Sequence, residues 1–199
     1  MHVCANPFPT CPATPVPSRC SSSCGNCATT GSRTPTPAAL PCAPGCYVLL
    51  LRAARGGEEI PVGRRGTLAL QRGWYAYAGS ARGPGGLAAR VGRHIAGAGP
   101  LRWHIDYLRR AASVREVWFA ESADNTADDT EENPEHTLAA ALAGLPGAAV
   151  PLARFGASDC ACPSHLYRFP EKPVLVPFIT QCGSAALRLQ LVRIRQPRH

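Results

Sequence analysis

The sequence predicts an α+β fold: a small, mostly antiparallel sheet flanked by helices and preceded by a disordered extension. Three observations predict it. Strand-like runs rich in β-branched and aromatic residues crowd into positions 45–80, separated by turn residues. Apolar stripes of helical period follow them. Residues 1–44, dominated by Pro, Ser, Thr and Cys, show no apolar period, so they bury too little surface to offset their chain entropy.

Order is expected from Gly45. In GCYVLLLR, alternation puts Tyr47, Leu49 and Leu51 on one face of a strand and Cys46, Val48 and Leu50 on the other. TLALQRGWYAYAGS supplies two more runs, with QRG read as a hairpin turn and Tyr75 and Tyr77 on a shared face. GPGG breaks the pattern, and a helix follows with Leu87, Val91 and Ile95 as its stripe. Arg90 and His94 each precede a stripe member, so they stack one above the other beside the buried seam, at the rim of a cleft. GAGP, with Pro100, reads as the stop.

WHIDYLRRAA predicts a second helix with Trp103, Tyr107 and Ala111 along one side, and VREVWFA a strand. ESADNTADDTEE reads as a solvated acidic loop. NPEHTLAAALAGL predicts a helix capped by Asn133, with Pro134 in its first turn and Glu135 next. Leu138, Leu142 and Leu145 mark its buried face, and Glu135 lies over that face. VPLARFG and HLYRF predict a final pair of strands, closing a domain at 45–170. In the basic tail 171–199, ALRLQLVRIR reads equally as an edge strand or an appended arm.

The net charge of +8 is unevenly spread: residues 45–110 hold eleven arginines against three acids, whereas 111–170 are net acidic. Such a basic half attracts polyanions, although Lys172 is the sole lysine and part of the arginine excess is general usage. No apolar run approaches a membrane span, and prolines interrupt any leader-like segment at the start. The expectation is a cytoplasmic protein with reduced cysteines and no membrane partner. Cys20, Cys24 and Cys27 offer three thiolates without a complete four-ligand spacing, although Cys4, Cys11 or Cys42 could add a fourth.

GCY at 45–47 and YAG at 77–79 resemble the two signature tripeptides of the GIY-YIG nuclease superfamily. The ordered set GSARG, RHI, WHIDYL and FGASDCACPSHL is more specific. It resembles a subfamily known as a domain of unknown function, sometimes fused to endonuclease III–type repair enzymes. The resemblance spans about residues 45–170. Cys46 departs from the isoleucine of the superfamily name, and about thirty residues separate the tripeptides, where this subfamily is expected to insert a hairpin.

The resemblance implies a divalent-metal-dependent endonuclease acting on nucleic acid, with DNA as the expected substrate, a setting in DNA repair or processing, and a repair protein as a further partner. A catalytically silent binding module of the same fold is the alternative. It implies one Mg²⁺ or Mn²⁺ ion on Glu135, Tyr47 as base or water-orienting group, and Tyr77 and Arg90 around them. The residue types agree: a guanidinium forks onto phosphate oxygens, a phenol near a cation can orient water, and a carboxylate suits a hard cation. His94 is a candidate proton shuttle. Gly79, where a substrate backbone could approach, joins Arg82, Arg93 and His104 as candidate nucleic-acid contacts. Asp159, Cys160, Cys162 and His165 form a second constellation. Cys-x-Cys is a poor chelate pair for tetrahedral zinc, and Asp159 or His165 could instead border the cleft.

Overall fold

The computed structural model describes residues 40–97, 99–122, 134–183 and 188–194. All belong to the compact unit Gly31–His199. The segments 1–39 and 123–133, which include the N-terminal cysteines, most of the acidic loop and the expected cap Asn133, lie outside the described residues.

Five strands form an antiparallel sheet: β1 (Gly45–Ala53), β4 (Gly73–Ala81), β5 (Ser113–Glu121), β6 (Leu166–Phe169) and β7 (Gln190–Arg193). Their order is β6-β4-β1-β5-β7, with the apolar β1 at the centre. The tail run is thus an edge strand, with Val192 opposite Val117. A separate hairpin of β2 (Glu59–Pro61) and β3 (Thr67–Ala69) stands between β1 and β4 in sequence. The QRG turn is therefore not a hairpin, because β3 and β4 lie in different sheets. It is a corner held by the Tyr75 hydroxyl, which bonds both the N–H (2.9 Å) and the carbonyl (3.1 Å) of Gln71.

The alternation of β1 divides the core as the sequence indicates. Tyr47, Leu49 and Leu51 join Tyr75, Tyr77, Leu87 and Val91 in one cluster, with α1 (Gly86–Ala96) and α2 (His104–Leu108). Cys46, Val48 and Leu50 join Trp118, Leu138, Leu142 and Phe178 in the other, with α3 (Pro134–Ala143) and α4 (Leu175–Cys182). The buried leucines of α3 are those its period predicts.

Three expectations fail locally. VPLARFG forms turns, with Arg154 at φ 61°, and the isolated bridge to Arg168 comes from Ala149, just before it. The second helix is short and buries Ile105, Asp106 and Leu108, while Trp103, Tyr107 and Ala111 pack only partly against the core. Order also begins before Gly45: Leu40 packs against the core, and the carbonyls of Ala43 and Pro41 accept the N–H groups of Leu87 and Ala88, each at 2.9 Å. The glycine corner serves this junction. Gly86 sits at φ +53°, and a Cβ there would lie 2.1 Å from the Ala43 carbonyl oxygen. The first amides of α1 are thus bonded within the chain. Gly97, in the left-handed region at φ 71°, closes the other end before Pro100.

Candidate active site

Tyr47 and Gly79 face each other across β1 and β4. A Cβ on Gly79 would lie 2.7 Å from the Tyr47 hydroxyl and ring, so the bare position makes room for this phenol. The space expected for a substrate backbone over Gly79 is filled by Tyr47. The Tyr47 side chain is 1% exposed, and its oxygen lies 3.0 Å from Nε2 of His94.

His94 is not at a rim. It is 1% exposed, because positions 87, 91 and 94 together form the buried stripe of α1 while Ile95 is only partly buried. Its Nδ1 faces Asp106 Oδ1 at 3.6 Å, too long for a hydrogen bond. Burial lowers the His94 pKa below its ordinary value, against the pull of Asp106. The ring is therefore neutral near pH 7. A carboxylate beside Nδ1 favours the tautomer protonated there, leaving Nε2 to accept the Tyr47 proton. Burial also raises the Tyr47 pKa, Arg90 opposing it.

Asp106, the one acid among these basic helices, has no precedent in the sequence reading. It is 5% exposed and accepts both Nη groups of Arg93 (3.0 and 2.9 Å) and the N–H groups of Arg102 (2.9 Å) and Trp103 (3.1 Å). Burial alone would raise its pKa. The nearby His94 ring, the Arg93 fork and the two amides outweigh that and hold it well below the carboxylate range. Arg93 also donates to the Pro100 carbonyl at 2.6 Å. Its fork therefore ties α1 to α2. Arg82 is exposed after β4 and does not line the cleft described next.

A cleft of about 390 Å³ opens beside these groups, lined by Tyr47, Tyr77, Arg90, His104, Glu135 and Asp159 among others. The Arg90 guanidinium sits 4.1 Å from the centre of the Trp103 ring. Tyr77 packs edge-on to Phe155, and burial raises its pKa. Gly156, at φ +78°, leaves room for Tyr77: a Cβ there would lie 2.9 Å from its ring. The Gly156 N–H donates to Nδ1 of His104 at 2.9 Å. His104 is neutral near pH 7, since burial and then Arg65 lower its pKa, so its proton is on Nε2. Glu135 reaches the cleft from the first turn of α3, although that helix packs on the opposite face of the sheet from Tyr47. Tyr47, Tyr77, Arg90 and Glu135, separate in sequence, thus line one space.

Behind Glu135 lies the second constellation. Glu135 Oε1 is 2.9 Å from Nδ1 of His165, and the other nitrogen of that ring is 3.3 Å from Cys160 Sγ. One ligand atom from each of His136, Cys160, Cys162 and His165 lies within 4.8 Å of the others, a cluster that could hold a metal ion. Burial pushes the Cys162 thiol up to about 11, with Cys160 adding to it. Sequence reading missed His136. Its only local signal is its place beside Glu135, because the partners stand some thirty residues on.

A family profile described as "Domain of unknown function DUF123" matches residues 46–187, more than half of the chain. No curated protein matches the chain. No solved structure matches it either.

Proposed function

We propose that this chain, which belongs to the DUF123 family, is a metal-dependent endonuclease of the GIY-YIG type that hydrolyses phosphodiester bonds of nucleic acid, DNA above all. One observation carries the reading: two phenols, a guanidinium and a carboxylate from four separate places in the sequence line one cleft. Support also comes from the arginine-rich half of the domain that builds it.

In this reading Arg90 binds the non-bridging oxygens of the phosphate, its plane held by Trp103. Tyr47, neutral at rest, orients the attacking water and takes its proton while passing its own to Nε2 of His94. Asp106 steadies the imidazolium that results. As the phosphorus–oxygen bond to the leaving group breaks, His104, with its proton on Nε2, and Tyr77 are the donors in the cleft for the departing oxygen. Glu135 fits a hard cation: it is a carboxylate in a cleft with space for the several waters magnesium retains. Mg²⁺ or Mn²⁺ held there would supply charge neutralisation at the phosphate.

The test is nicking of supercoiled and branched DNA by the full chain in Mg²⁺ or Mn²⁺, with E135Q in parallel. Cleavage that E135Q lacks is expected. Absence of nicking above the E135Q background sinks the reading. A second reading, a binding module without catalysis, draws support from the burial of the Tyr47 hydroxyl. It predicts salt-sensitive DNA affinity with no metal-dependent turnover.

A further inference from the structure

We propose that His136, Cys160, Cys162 and His165 bind one zinc ion that fastens the loop before β6 to the start of α3. The four ligand atoms already lie within 4.8 Å of one another. Two thiols and two imidazoles make a borderline-soft set that suits zinc over magnesium or calcium. Four protein ligands fill a tetrahedral shell and leave no open position, so the ion is structural. Both cysteines are free of disulfides.

The short Cys-x-Cys spacing argues against zinc only while the ligands are sought locally. The fold brings His136 from another element and adds His165 from further along the loop. The chain from Gly144 to His165 contains no strand or helix beyond one isolated bridge. Irregular stretches of that length are uncommon inside a compact domain unless they carry a function. Zinc binding displaces the two thiol protons to solvent and joins the loop to the helix.

His165 adds an independent argument. It is 1% exposed, with Nε2 toward Cys160 and Nδ1 on the Glu135 carboxylate. A metal-bound imidazole characteristically gives its second N–H to a carboxylate, which fixes the ring. Here the carboxylate is the one that lines the cleft, so the zinc would also set the orientation of Glu135. That last consequence rests on the nuclease reading; the zinc site itself does not.

The test is metal analysis of the full chain, purified without added zinc or chelator, followed by Co²⁺ substitution. Two full-length variants accompany it: C160S/C162S, and one with Cys4, Cys11, Cys20, Cys24 and Cys27 changed to Ser. We expect about one zinc per chain and thiolate-to-cobalt charge-transfer bands, both kept when the N-terminal cysteines are removed and lost in C160S/C162S. If the N-terminal variant binds neither zinc nor cobalt through thiolate, the site does not exist, whether or not C160S/C162S folds. Retention of full zinc by folded C160S/C162S overturns it equally. No DNA enters these measurements, so a failed nicking assay leaves their outcome intact.

Discussion

Tyr47 is the residue on which the proposed chemistry turns. Its hydroxyl bonds His94. Removing it as Y47F is expected to cost about 1–2 kcal/mol, mostly from the unsatisfied imidazole, while nicking falls on the order of 100-fold. Denaturant melts and single-turnover assays separate the two effects. Gly79→Ala places a methyl group where the phenol lies. It should destabilise by roughly 1–3 kcal/mol and impair nicking along with the displaced tyrosine. At this scale the sequence is readable for Tyr47, Tyr77, Arg90 and Glu135, because strand alternation and the helix period assign each a face. It is misleading for His94: counting the stripe as 87, 91, 95 hides the equally helical 87, 91, 94. It is silent on His136, whose partners come from another element, and on Asp106, which takes two amides from the start of its own helix but its guanidinium from α1.

At the scale of elements, α1 and α2 are held together by a carboxylate among arginines and an imidazole. Both titrate below their ordinary values in the folded state. The unfolded chain takes up a histidine proton near pH 6.5 that the folded chain refuses until lower pH. The contribution of His94 is therefore whole above pH 6.5 and lost as pH falls through the folded value. Asp106 repeats this below its ordinary 3.8. His104, lowered as well, adds to the first phase. Urea midpoints measured from pH 7.5 to 5 should decline, and H94Q should flatten that decline. A flat wild-type profile would contradict the buried neutral imidazole. Element identities were largely legible here. The pairing of β3 was not, since a three-residue run does not announce which sheet it joins.

Just over half of the arginines lie in residues 45–110, which supply much of the cleft, and most of the acids come after them. Nucleic-acid affinity should therefore fall steeply with salt, the slope of log K against log salt changing by about 0.9 for each phosphate neutralised. R82Q should make that slope shallower, and fluorescence anisotropy across a salt series reads it. The fold class was visible because the core is built from long periodic runs. The limits of the domain were not, since a proline-rich approach looks dispensable by composition. Leu40 to Pro44 show why composition misjudges it. The carbonyls of Ala43 and Pro41 accept the Leu87 and Ala88 amides. A truncated protein beginning at Gly45 should fray at the start of α1, with faster deuterium uptake at those two amides and earlier tryptic cleavage at Arg90.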